Sequence, residues 1–148
     1  MEVQKDFKEL LELFNVHHVD YLIVGGYALA LHGSPRYTGD IDLLIKPDQK
    51  NAERILKSLD AFGFGSIGLR EEDLTTPEKV IQLGYPPVRI DIMTSLSGVS
   101  WEEAYNGRVS GRYGDIQIFY IGREQLILNK KTTSRKKDLA DLEALGEE

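Results

Sequence analysis

The stretch Gly39-Asp-Ile-Asp-Leu-Leu-Ile45 combines the apolar residues of a buried β-strand with two aspartates. Alternate side chains of a strand share a face, so Asp40 and Asp42 point to one side and Ile41 points to the other. Two carboxylates this close repel each other unless a positive charge lies between them. A divalent cation that prefers oxygen ligands, Mg²⁺ or Mn²⁺, would supply that charge. The pair alone is equally compatible with edge-strand acids that face water.

The residues after Asp42 exclude an EF-hand calcium loop, which also spaces its acids by two. Such a loop needs acids or amides at further odd positions, a glycine at its sixth position and a closing glutamate. Apolar residues follow Asp42 instead, so the pattern favours a strand.

The sequence upstream predicts a strand, a glycine turn and a helix. The apolar run Tyr21-Leu-Ile-Val24 ends in Gly25 and Gly26, and good helix formers then continue to Gly33. Glycines let the backbone approach a ligand closely, and the N–H groups at a helix start favour an anion such as phosphate. We expect a positive φ at Gly26. The other interpretation is a plain tight turn, because neither a Walker lysine nor a G-x-G-x-x-G pattern is present.

A third acid lies in another strand-like run, Val88-Arg-Ile-Asp-Ile-Met93. Asp91 is flanked by Ile90 and Ile92, and an acid in such surroundings is seldom buried without a partner. A metal ion shared with the two aspartates of the earlier strand would be that partner.

The glycine turn, the D-x-D strand and the later strand around Asp91 resemble the nucleotidyltransferase superfamily that includes polymerase beta and kanamycin nucleotidyltransferase. The resemblance is closer to a bacterial and archaeal branch akin to the Abi-type toxin nucleotidyltransferases, over residues 25–33, 35–42, 126–130 and 135–142. It implies an α/β (α+β) nucleotidyltransferase fold, with a mixed β-sheet flanked by helices and with C-terminal helices.

The resemblance also implies a two-metal mechanism, in which two Mg²⁺ (or Mn²⁺) ions are held by three catalytic aspartates, Asp40, Asp42 and Asp91. The reaction moves an NMP from a nucleoside triphosphate, such as ATP, to a hydroxyl of RNA, protein or a small molecule. The implied nucleotide-binding residues are Gly25, Gly26, Tyr27, Arg36, Thr38, Lys130 and Lys137.

Three of these nucleotide contacts have a second interpretation. Many family members have a serine after the first glycine of the turn, whereas this chain has Gly26 followed by Tyr27. Tyr27 is predicted either to stack on a base or to pack beside the sheet. Arg36 is either a phosphate contact or a surface arginine, and Thr38 either contacts the nucleotide or shapes the turn before the D-x-D strand.

The basic segment near the carboxyl end contains two further candidates. Lys130 shares a helical face with Leu126, so we expect its ammonium to be partly buried and directed at the triphosphate. Lys131 and Lys136 are expected to be solvated. Lys137 either contacts the nucleotide or forms a structural ion pair with the acid that follows it.

The composition limits the class of protein. The chain has 148 residues, 41% of them hydrophobic, and no cysteine. These values predict one globular domain, which the resemblance implies is a nucleotidyltransferase domain over residues 1–148, and they exclude disulfides and zinc–cysteine sites. The charged start and the lack of a long apolar run predict a cytoplasmic protein without membrane contact. The net charge of −6 argues against binding long duplex nucleic acid, but not against a small nucleotide or an RNA end.

Apolar periodicity predicts the order α-β-α-β-α, then a β-hairpin and a β-rich third quarter, then helices. A hairpin is predicted over residues 108–113 and 116–121, around Gly114 and Asp115. Ser100 and Glu103 form a capping-box pattern that starts a short helix, which Gly107 is expected to end.

Three classes of function are compatible with these observations. The first is an active NMP-transferring enzyme. The second is a modifier within a toxin–antitoxin system that acts on a cognate toxin or antitoxin protein. The third is a nucleotide-binding or inactive relative that acts as a partner-binding module, which Tyr27 in the serine position favours. Carboxylate-cluster nucleases also use two metals, but they do not need the glycine turn, so they rank lower.

Overall fold

The computed structural model describes residues 3–33, 39–65 and 67–147. Its six strands are β1 Tyr21–Val24, β2 Asp40–Ile45, β3 Val80–Tyr85, β4 Val88–Met93, β5 Val109–Tyr113 and β6 Ile116–Tyr120. Its α-helices are α1 Lys5–Val16, α2 Gly25–Leu31, α3 Gln49–Leu59, α4 Glu71–Thr75, α5 Trp101–Asn106, α6 Arg123–Thr133 and α7 Lys136–Ala144, and a short helical segment with a kink at Gly63, Asp60–Phe64, follows α3. Among these helices, none is long and apolar enough to cross a bilayer.

The strands form one mixed sheet in the order β3-β4-β2-β1-β6-β5. The central strand β2 runs antiparallel to β1 and parallel to β4. The two outer pairs, β3 with β4 and β5 with β6, are antiparallel. The predicted α/β fold with a mixed sheet and flanking helices is therefore confirmed.

The local predictions for the third quarter are also confirmed, with small shifts at the ends. The hairpin around Gly114 forms, but its first strand begins one residue later than predicted and its second strand ends one residue earlier. The hydroxyl of Ser100 accepts from the backbone N–H of Glu103 at 3.1 Å, and the Glu103 carboxylate accepts from the backbone N–H of Ser100 at 3.1 Å. The helix that this capping box starts ends at Gly107.

A buried polar side chain joins β1 and β2 to α3. Asn51 is 1% exposed, and its amide donates to the carbonyl oxygens of Asp20 at 3.0 Å and Lys46 at 2.9 Å. Its side-chain oxygen accepts from the backbone N–H of Asp20 at 2.7 Å. Asp48 caps α3 by accepting from the backbone N–H of Asn51 at 2.8 Å. These bonds hold the ends of β1 and β2 that lie farthest from the glycine turn and the D-x-D acids.

The turn from β1 into α2 has a glycine where no other residue fits. Gly25 has φ +66, and a Cβ added there would lie 2.1 Å from Oδ2 of Asp42. The positive φ expected at Gly26 is therefore at Gly25, because that residue makes the change from strand to helix. The backbone of the turn packs directly against the second D-x-D carboxylate.

We expect Gly25→Ala to destabilise the protein more than Gly63→Ala does. Both glycines have positive φ, so each alanine adds backbone strain of about 1–3 kcal/mol. A Cβ at Gly63 meets no atom within 4 Å, whereas a Cβ at Gly25 displaces the Asp42 carboxylate. The extra loss at Gly25 should be about 2 kcal/mol. Denaturant unfolding of both variants measures the difference, and equal losses would contradict the close approach.

Candidate active site

The three predicted acids converge on one face of the sheet. Asp42 on β2 lies directly opposite Asp91 on β4, and Asp40 lies opposite Arg89. Carboxylate oxygens of Asp40, Asp42 and Asp91 all lie within 4.8 Å of one another. The predicted convergence is confirmed, and the catalytic and metal-binding roles of these residues remain predictions.

The electrostatics of the cluster fit a bound cation. Burial raises the pKa of Asp42 to about 7, and repulsion from Asp40 and Asp91 adds to this effect. The ammonium of Lys137 acts in the opposite direction. Oxygen ligands with excess negative charge are the donor set that Mg²⁺ and Mn²⁺ prefer. A divalent cation among the three carboxylates would offset their mutual repulsion, which adds to the effect of burial on this pKa.

Arg89 is a site residue that the sequence reasoning missed. Its Nε donates to Oδ1 of Asp91 at 3.2 Å, and its Nη2 donates to Oδ2 at 3.0 Å. This two-bond pairing neutralises part of the cluster charge and fixes the orientation of the Asp91 carboxylate. The signal was present in the sequence, because residues two apart in a strand share a face and Arg89 stands two residues before Asp91.

The carboxylate cluster opens into a cavity of ≈ 980 Å³. Seven predicted site residues line it: Gly25, Gly26, Asp40, Asp42, Asp91, Lys130 and Lys137. Arg36 and Thr38 lie outside the described residues. The glycine turn, the acids and the two lysines therefore belong to one concave site.

Tyr27 lies in the core beside this cavity. It is 5% exposed, with its ring centroid 6.1 Å from that of Phe7 and 5.8 Å from that of Tyr113. Of its two interpretations, packing is the one that this position supports. A helix start directly after a buried strand brings the first side chain of the helix against the sheet.

Lys130 is buried as predicted, but its ammonium points elsewhere. Its side chain is 7% exposed, and Nζ lies 2.9 Å from Asp141 and 3.5 Å from Asp138. This orientation corrects the expectation that the ammonium points at the triphosphate. A buried ammonium needs carboxylates close by, and two acids on α7 provide them. Lys130 still lines the cavity, and its contact with nucleotide remains a prediction.

The acids that hold Lys130 are themselves fixed by the start of α7. Burial alone would raise the pKa of Asp138, but hydrogen bonds from Arg135 and Thr133 hold it below its usual range. Thr133 donates to Asp138 at 2.6 Å, and Nε of Arg135 donates at 2.8 Å. This network, which we call the α6–α7 ion cluster, comprises Lys130, Thr133, Arg135, Asp138 and Asp141. It sets the position of α7 beside the cavity.

Lys131, Lys136 and Lys137 are the other lysines of the basic segment. Lys131 and Lys136 are exposed, which confirms the prediction for both. Lys137 lies in the first turn of α7, lines the cavity and acts electrostatically on Asp42. Its ammonium therefore acts on the same carboxylate, that of Asp42, against which the glycine turn packs.

We expect Asp42→Asn to stabilise the protein at pH 8 when EDTA removes divalent ions. The pKa of Asp42 is about 7 in the folded state, against an ordinary 3.8. The folded state thus binds the Asp42 proton more tightly than the unfolded state, and this contribution to stability is lost as the pH rises from about 4 to about 7. The variant should gain on the order of 2 kcal/mol at pH 8 and little at pH 4.

Guanidinium unfolding at the two pH values measures this gain. Glu53→Gln, an exposed substitution on α3, is the control and should behave like the wild type at both pH values. A gain for Asp42→Asn that is the same at both pH values would contradict the assigned cause.

Three solved structures have a similar fold. A lincosamide antibiotic adenylyltransferase bound to lincomycin is 15% identical, with a TM-score of 0.57 over 97% of this chain and 96% of that chain. A putative nucleotidyltransferase from Thermotoga maritima is 14% identical, with a TM-score of 0.63 over 94% and 89% of the two chains. An antigenic nucleotidyltransferase-like protein from Paracoccidioides brasiliensis is 14% identical, with a TM-score of 0.56 over 95% and 72%. At these identities the likeness shows the fold alone.

Sequence comparison adds the family. No curated protein matches the chain. The predicted relationship to nucleotidyltransferases is confirmed, and the assignment to the Abi-type toxin branch remains a prediction. The profile of the family described as "Nucleotidyltransferase of unknown function (DUF6036)" matches residues 1–146, and the chain belongs to this nucleotidyltransferase family.

Proposed function

We propose that this protein is a magnesium-dependent nucleotidyltransferase that moves an NMP from a nucleoside triphosphate to a hydroxyl of RNA, protein or a small molecule. The observation that carries the proposal is the cluster of Asp40, Asp42 and Asp91 beside the Gly25 turn, inside one cavity. Membership of a nucleotidyltransferase family supports the same class of reaction. The likeness in fold to a lincosamide adenylyltransferase supports AMP as the transferred group and ATP as the donor.

The three carboxylates fit two divalent cations, Mg²⁺ or Mn²⁺. Asp40 and Asp42 would hold the nucleotide-bound ion and would share the second ion with Asp91. Bound there, the cations would neutralise charge on the triphosphate and lower the pKa of the acceptor hydroxyl.

The transfer itself exchanges one P–O bond for another. The acceptor oxygen bonds to the α-phosphorus while the bond from that phosphorus to the β-phosphate breaks, and pyrophosphate leaves. Asp91 would accept the hydroxyl proton. Arg89, through its two hydrogen bonds, would keep the Asp91 carboxylate oriented for this step.

The glycine turn and Lys137 would hold the triphosphate. Gly25 and Gly26 line the cavity, and their backbone N–H groups would donate to the β- and γ-phosphates. Lys137, which lines the same cavity and acts electrostatically on Asp42, would add a cation. Lys130 would contribute by holding the helix that carries Lys137, since its own ammonium is bound by acids of that helix. Contacts from Arg36 and Thr38 remain predictions from the family resemblance.

The alternative function is a nucleotide-binding or inactive relative that acts as an antitoxin-like module on a cognate protein. It rests on the turn itself, in which Gly26 and Tyr27 follow Gly25 without the serine that many relatives have. The toxin–antitoxin role, which comes from the resemblance to the Abi-type branch, includes both an active modifier and this binding module. The active enzyme and the module differ in one measurable property, the transfer of a labelled nucleotidyl group.

Wild-type protein incubated with α-labelled nucleoside triphosphates, magnesium and cell extract should transfer label to an acceptor. Asp42→Asn should abolish the transfer, because it removes a cation ligand while keeping the shape of the side chain. Since this variant is expected to be more stable than the wild type at pH 8 without divalent ions, unfolding would not explain the loss. Glu53→Gln should transfer label normally. Nucleotide binding by the wild type without any transfer would favour the binding module instead.

Lys137→Ala should weaken binding of magnesium–ATP far more than Lys136→Ala. The expected loss for Lys137 is that of a charge-assisted hydrogen bond, roughly 1.5–3 kcal/mol. Lys136 is its matched control, because it is exposed and precedes Lys137 on the same helix. Calorimetry measures both affinities. Equal losses that track salt concentration would indicate a diffuse electrostatic patch rather than a phosphate contact.

A further inference from the structure

The order of the strands divides the cavity into two ends. Asp42 has Val24 of β1 on one side and Asp91 of β4 on the other. The glycine turn follows Val24 directly, so it lies at the β1 end of the cavity, and β3 lies beyond β4 at the opposite end. If the triphosphate occupies the glycine end, the acceptor hydroxyl must approach Asp91 from the β3 end.

Among the described residues, the cavity lining contributed by β3, by Met93, by the loop after β4 and by the first turn of α6 carries no ionisable side chain. We call it the acceptor wall, and its residues are Val80, Met93, Ser95, Leu96, Ser97 and Leu126. Four of them are apolar and two are hydroxyl-bearing. Met93 shares the strand face of Asp91, and Val80 lies directly opposite Met93, so both continue the face that carries the acids.

Two hydrogen bonds hold the loop of the acceptor wall in place. Asn129 on α6 donates from its amide to the carbonyl oxygen of Ser97 at 3.0 Å, which ties the loop after β4 to α6. The loop is also held at Ser95, whose hydroxyl accepts from the backbone N–H of Glu78 at 2.9 Å. A surface fixed at two points is preorganised, which lowers the entropic cost of binding a ligand there.

The described cations of the cavity are engaged elsewhere. Arg89 is paired with Asp91, and Lys130 and Arg135 are paired with Asp138. Lys137 acts electrostatically on Asp42 and, under the proposed function, binds the triphosphate. Among the lining residues that the structure describes, the wall thus offers apolar surface and hydroxyl groups but no unengaged positive charge for a phosphate.

We infer that the acceptor is a small molecule without phosphate groups, which presents a hydroxyl next to an apolar surface and binds on the acceptor wall. This inference rests on the proposed transferase function. A volume of ≈ 980 Å³ is at the upper end of the range of about 300–1,000 Å³ for small-molecule pockets, which leaves room for an acceptor beside the nucleotide. An RNA acceptor would need cations along its backbone, and the chain carries a net charge of −6.

The transfer needs no reactant other than the nucleoside triphosphate and the acceptor. The acceptor hydroxyl oxygen bonds to the α-phosphorus, the bond to the β-phosphate breaks, and pyrophosphate leaves with the negative charge. The hydroxyl proton passes to Asp91 and then to water. The product is a phosphodiester that joins the nucleoside to the small molecule.

The test separates cell extract into a small-molecule ultrafiltrate, a protein fraction and an RNA fraction, each incubated with wild-type protein, magnesium and α-labelled nucleoside triphosphates. Label should enter a compound of the ultrafiltrate, and mass spectrometry of that product should show one phosphate, that of the NMP. Label in RNA, in protein or in an acceptor that already carries phosphate would overturn this inference and leave the proposed function standing. Failure to bind magnesium–ATP and to label any fraction would overturn the proposed function itself.

A pair of variants on one strand locates the acceptor. Val80 is 63% exposed on the wall, and Tyr85 is 83% exposed on the opposite face of β3, so an aspartate at either position causes little disturbance of the core. Val80→Asp should lower the rate of labelling at limiting ultrafiltrate by about tenfold and leave the affinity for magnesium–ATP unchanged. Tyr85→Asp should alter neither quantity. An unchanged labelling rate for Val80→Asp, or an equal loss for both variants, would overturn the assignment of the wall.

Discussion

Mutual repulsion among three carboxylates is the constraint around which this structure is built. Asp40, Asp42 and Asp91 have oxygens within 4.8 Å of one another, an arrangement that strands would not adopt unaided. Packing on the opposite face of the same strands offsets this repulsion. Ile41 on β2 and Ile90 on β4 are fully buried, so burial of apolar side chains on one face holds the acids together on the other.

The elements around the acids limit the remaining charge in two ways. Arg89 neutralises and orients Asp91 from within the same strand. The α6–α7 ion cluster acts from further away, because Lys130 joins the two helices through acids on α7 and so sets where Lys137 meets the cavity. The chain thus uses buried ion pairs to position a cation, although burying such pairs adds little net stability in general.

The two ends of the site also differ chemically, and this difference follows from the order of the strands. The glycine turn is possible only on the β1 side of Asp42, because Gly25 is the residue that tolerates both the positive φ and the contact with the carboxylate. The β3 side is left with uncharged side chains such as Val80 and Leu96. A triphosphate and an acceptor would therefore meet different chemistry on the two sides of one carboxylate cluster.

The sequence by itself determined the elements and the acids: alternation in β2 and β4 put the aspartates on one strand face, and the glycine pair marked the turn. Only the tertiary structure decided which groups engage one another, such as Lys130 with Asp141, or Tyr27 with the core. Strand and helix periodicity reports the face on which a side chain lies, because it depends on neighbours along the chain. The partner on that face comes from a distant segment, and its position depends on how the whole sheet and its helices pack.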